Sequence, residues 1–72
     1  MSTRVKRYFA GEHTTSWHPS TGLVPTRECG HAHKTEAAAD RCAAKHYPWK
    51  VYAELKSGRI VWPHNVLAEI AK

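Results

Sequence analysis

The stretch TEAAADRCAAKHYP, residues 35 to 48, sets the tightest limit on what this chain can fold into. Thr35 offers an N-cap oxygen, Glu36 and Asp40 sit toward the positive end of the helix dipole, and Arg41 and Lys45 sit toward the negative end. Pro48 pushes the residue before it out of the helical region, so the spacing predicts a helix over 36–46. Its apolar seam is Ala38, Cys42 and Ala39 or Ala43, which is narrow enough to lie close against a sheet. A chain of 72 residues has room for one such layered unit, with a core so small that a metal, a disulfide or a partner often has to support it.

The flanking segments supply the sheet. RVKRYFA, residues 4 to 10, alternates Val5, Arg7 and Phe9 with Arg4, Lys6 and Tyr8, as a strand does. Residues 10–22 are rich in Gly, Ser, Thr and Pro and read as a loop or long hairpin connection, and LVPTREC resumes extended structure, held to an edge by Pro25. WKVYAELKSGRIVWP reads as a hairpin. A two-residue Ser57–Gly58 turn would pair Leu55 with Ile60, Glu54 with Val61 and Ala53 with Trp62. That register turns Trp49, Val51, Ala53, Leu55, Ile60 and Trp62 toward the helix and leaves Lys50, Tyr52, Glu54 and Val61 outside. HNVLAEIAK closes the chain as a short helix, capped by Asn65 and docked through Val66, Leu67 and Ile70. The expected fold is α+β: one domain over residues 1–72, a small antiparallel sheet with a central helix on one face, a C-terminal β-hairpin and a short terminal helix.

Two cysteines and three histidines fall within RECGHAHKTEAAADRCAAKH, residues 27 to 46. In an extended segment Cys29, His31 and His33 project the same way, and Cys42 and His46, four apart, share a helix face. Tetrahedral zinc takes four thiolate or imidazole ligands, and Cys29, His33, Cys42 and His46 form the best quartet, two from a strand end and two from a helix. The favoured reading is nonetheless a pair of reduced, buried cysteines and no cofactor, because a cysteine on an alanine seam is commonly inert packing and the gap from His33 to Cys42 is shorter than the roughly 12 residues of the familiar finger. No third orienting group accompanies Cys and His, so the chain is read as non-enzymatic.

Eleven Lys and Arg against six Asp and Glu give a net charge of +5 and a pI near 9.6. Such a balance suits nucleic acid, with Arg4, Lys6, Lys50, Lys56 and Arg59 on phosphates and Tyr8 and Tyr52 stacking, all from the outer face of the sheet. The alternative is a protein contact or self-association anchored on Trp17, an aromatic in a polar loop. The N-terminal segment lacks an apolar run behind its basic residues, and no stretch spans a bilayer, so the expected setting is cytoplasmic, with reduced thiols and no membrane partner.

The pattern of Cys29, Gly30, His31, His33, Lys34 and Thr35, followed by Ala38, Ala39 and Cys42, resembles one found in small uncharacterised proteins of actinobacteria and their phages. Thr35, Glu36 and Ala37 are also similar to the opening of the helix in the arm-type DNA-binding domain of tyrosine integrases. That second resemblance implies a small sheet that reads DNA.

Overall fold

A computed structural model of the chain describes residues 5–71, with side chains through residue 68. Arg4 therefore lies outside the described residues, as does the side chain of Ile70. The elements run β1 (Val5–Gly11), β2 (Trp17–His18), β3 (Gly22–Leu23), α1 (Glu36–Lys45), β4 (Lys50–Leu55), β5 (Ile60–Val61), a 3-10 turn (Pro63–Asn65) and α2 (Val66–Ala71). The fold is α+β, with α1 packed on β1 and β4 and a short C-terminal helix. The five strands lie in the order β1-β4-β5-β3-β2. All pairings are antiparallel except β3 with β5, so the sheet is mixed rather than wholly antiparallel.

α1 follows its sequence signals closely. The Thr35 side chain accepts the Ala38 N–H at 3.1 Å, and the helix ends with His46 in a non-helical cap conformation. Ala39, Cys42 and Ala43 are buried against the sheet. The small seam works as expected: Ala10 of β1 meets Cys42 and Ala43, with Val51 and Trp49 completing the layer.

The hairpin differs from the two-residue expectation. The Gly58 N–H donates to the Leu55 carbonyl and the Leu55 N–H to the Arg59 carbonyl, which makes the loop three residues long, Lys56 to Gly58. Gly58 has φ +93°, a left-handed backbone that glycine adopts at little cost. The extra loop residue slides β5 by one, so Glu54 faces Ile60 and Ala53 faces Val61. Every β5 side chain changes face as a result. Val61 joins Ala53, Leu55 and Val66 in one cluster, and Ile60 and Trp62 pack with Phe9, Leu23 and Tyr52 in another. Leu67, expected to dock α2, is 81% exposed, and Val66 alone of the described α2 side chains is buried.

The sheet therefore has two apolar faces. On the face away from α1, rings form a stacked column: His13 on Trp62 at 5.7 Å, Trp62 on Tyr52 at 4.9 Å, Tyr52 on Phe9 at 5.3 Å, and the Arg7 guanidinium over Phe9 at 4.4 Å. Such ring pairs stabilise beyond the area they bury. Arg7 is clamped by Glu54 at 2.5 Å and Glu28 at 3.1 Å. Burial works against the Arg7 charge, but these two carboxylates outweigh it and hold its pKa above the ordinary value. Tyr52 is wholly buried, and its hydroxyl donates to the Glu12 carbonyl at 2.6 Å.

LVPTREC does not form a full strand. β3 ends at Leu23, with one further backbone bond from the Val24 N–H to the Ser16 carbonyl, and residues 27–33 instead run along the free edge of β1. The Glu12 N–H donates to Arg27, the Cys29 N–H to Ala10, and Tyr8 and His33 exchange both backbone bonds. Gly11 faces Glu28 whereas Tyr8 faces His33, so this strip carries two residues more than the strand beside it. The surplus forms a bulge around Gly30 and His31.

Candidate metal centre

The bulge decides where the Cys and His side chains of this strip point. Gly30 has φ +75°, a conformation L side chains rarely adopt, and no heavy atom lies within 4 Å of where its Cβ would stand. Glycine is required there by backbone angle and not by crowding. The bend turns the chain between Cys29 and His31, while the Tyr8 bridge fixes His33. Cys42 rises from the buried face of α1 opposite this strip.

Cys29, His31, His33 and Cys42 converge there, with one donor atom from each lying within 4.8 Å of all the others. Cys29 Sγ is 3.9 Å from His33 Nε2, and Cys42 Sγ is 3.7 Å from His31 Nδ1. Around zinc, with bonds of about 2.0–2.3 Å, tetrahedral donors stand about 3.3–3.8 Å apart, so closure needs shifts of an ångström or less. The Ala10 N–H points at Cys29 Sγ at 3.4 Å, the kind of outer hydrogen bond that orients a metal-bound thiolate. Burial pushes the Cys42 thiol pKa up and neighbouring Cys29 adds to this, while the Lys45 charge opposes it. Both cysteines are free thiols. These four residues are close enough to bind a metal.

Three members of the quartet expected from sequence are here, and the fourth is corrected. His46 caps α1 with φ −117° and ψ 29°, leaving the helical path, and its ring stacks on Trp49 at 4.6 Å instead. His31 takes its place. Alternation grouped Cys29, His31 and His33 on one side, but the four-residue spacing from Cys42 to His46 favoured a helical ligand that the helix end releases, and the bulge at Gly30 brings His31 to Cys42 instead.

The residues expected to meet nucleic acid do not share one face. Tyr52 is wholly buried in the ring column, and half-buried Tyr8 packs toward Ala53, Leu55, Val61 and Val66 on the α1 side, so neither offers a free ring for stacking. Lys6, Lys50 and Lys56 are exposed. Lys50 borders a depression with Glu36 and Asp40, and Arg59 lies over Trp17 at 5.5 Å while donating to the Pro19 carbonyl at 2.6 Å. Trp17 is 57% exposed beside Leu23, Ile60 and Trp62. Among the described residues no helix is long and apolar enough to cross a membrane. Comparison with protein-family models, curated proteins and solved structures returned no match.

Proposed function

We propose that the protein is a small, non-enzymatic, nucleic-acid-binding domain closed by a structural zinc ion on Cys29, His31, His33 and Cys42. The convergence of those four donor atoms carries the reading. Two thiolates and two imidazoles that lie within 4.8 Å of one another suit zinc better than magnesium or calcium, which take oxygen ligands. Four protein ligands fill the coordination shell, and a filled shell leaves no position for substrate. The ion would tie the 29–33 strip to α1, two segments otherwise joined across an alanine seam.

Charge supports the nucleic-acid part. Zinc on two thiolates and two neutral imidazoles adds no net charge relative to two thiols, so the balance stays at +5. Arg7 is clamped between two carboxylates, whereas the side chains of Lys6, Lys34, Arg41, Lys45, Lys50 and Lys56 are exposed. Native mass spectrometry of untagged protein tests the metal: the expected result is one zinc per chain, retained in His46→Ala and lost in His31→Ala. A metal-free wild-type chain that melts cooperatively and ignores chelator would refute it. A protein contact is the second reading, favoured by Trp17 beside the Leu23, Ile60 and Trp62 groove. It requires Trp17→Ala to abolish a partner complex without weakening binding to DNA.

A further inference from the structure

α1 is divided by charge. Glu36 and Asp40 border the depression shared with Lys50, Trp62 and His64 on one flank, and Arg41 and Lys45 border the depression shared with His31, Cys42 and His46 on the other. Arg41 and Lys45, one turn apart, are exposed and form no ion pair among the described residues. Among the described residues no carboxylate lines that second depression. The metal reading adds a third donor. His31 turns Nδ1 toward Cys42 Sγ, so with Nδ1 committed to zinc the proton must sit on Nε2, where an exposed ring can donate it outward.

We infer that this flank of α1 is the nucleic-acid interface, with Arg41, Lys45 and the His31 Nε2–H converging on backbone phosphate. The proposal rests on the nucleic-acid reading above and moves the contact from the outer sheet face to the helix side. Charge complementarity selects the occupant, since two exposed cations beside a neutral N–H donor around one concavity match a phosphodiester. The zinc ion then has a second consequence: it holds His31 as an obligate donor. The sheet-side lysines lack this convergence, because Lys50 stands among carboxylates and Lys56 sits at a hairpin tip.

Two charge-matched double variants test the location. Arg41→Gln with Lys45→Gln and Lys50→Gln with Lys56→Gln each remove two positive charges, so they differ only in position. Fluorescence anisotropy with a labelled DNA duplex, titrated across salt concentrations, should show the first pair lowering the slope of log K against log salt by about 1.8, at about 0.9 per lost phosphate contact, and the second leaving it unchanged. Inorganic phosphate at matched ionic strength should compete poorly, which separates a phosphodiester track from a lone anion pocket; efficient competition would overturn the assignment to nucleic acid. Equal effects of the two pairs, or a larger effect of the second, would overturn the location. If the wild-type chain carries zinc but does not bind the duplex, the interface and the nucleic-acid reading both fall and the metal centre stands. If it carries no zinc, the metal reading falls, and the paired titration judges the Arg41 and Lys45 surface by the same criterion.

Discussion

Replacing His31 by alanine is the sharpest test of the metal centre because His31 is exposed. Without a metal its exposed ring makes only an edge contact with His33 at 5.5 Å and a 3.7 Å approach to Cys42, and truncating such an exposed side chain changes stability by about 0.5 kcal/mol or less. As a zinc ligand the same side chain has a much larger effect. Structural zinc contributes about 10–16 kcal/mol of apparent binding free energy in small fingers at neutral pH. A 72-residue domain has a total stability of roughly 4–11 kcal/mol at about 0.05–0.15 kcal/mol per residue. Losing one ligand in four should therefore take the domain to the edge of unfolding, whereas the surface account predicts a fall in Tm of at most about 4 °C. Tryptophan fluorescence melts of wild type and His31→Ala, each with and without chelator, separate the two. Wild type should lose most of its stability to chelator, and the variant should start low and respond little. The reasoning fails if His31→Ala melts within a few degrees of wild type and neither responds to chelator.

Val61→Ala should cost about 1–3 kcal/mol in denaturant unfolding and Leu67→Ala within about 0.5, because Val61 is buried beside Ala53 and Leu55 whereas Leu67 is open to water. Tyr52→Phe should cost about 1 kcal/mol by loss of the bond to Glu12. Burial raises the Tyr52 pKa above its ordinary value of 10.0, so its contribution is fully present below that pH and fades as pH rises through the folded value. Alkaline unfolding curves should show this loss in wild type and a weaker one in Tyr52→Phe. Gly30→Ala meets no clash but must hold φ +75°, so it should cost about 1–2 kcal/mol and weaken zinc uptake in a competition titration.

Local signals were legible where the determinant was local. The Thr35 cap, the alanine seam and Pro48 specify α1 to within a residue, and Cys42 lies buried as its helical position requires. Alternation placed Val51, Ala53 and Leu55 on the α1 side, and β4 bears this out. The face of β5 was not legible, because it depends on whether the turn spends two residues or three, and Lys-Ser-Gly suits both. Tyr52 misled for a different reason. A polar-tipped ring between lysine and glutamate patterns as an outward residue, and only the distant Phe9, Trp62 and loop residue Glu12 bury it. Three of the four residues that come close enough to bind a metal were legible, since the fourth, His31, hangs on a bulge whose sequence mark is one glycine.

The strip along β1 also bears on how the chain behaves at high concentration. A seven-residue strand with an open hydrogen-bonding edge is a template for pairing with another molecule, whereas the opposite border of this sheet, β2, is only two residues long. Residues 27–33 occupy the β1 edge with their own backbone bonds, and their bulge breaks the regular repeat that a growing sheet would copy. Whatever loosens that strip from α1 bares the long edge while Phe9 and Tyr52 remain behind it. The first sign of such a lesion should be strand-to-strand aggregation ahead of global unfolding, seen as light scattering that rises at temperatures where the helical signal is still intact.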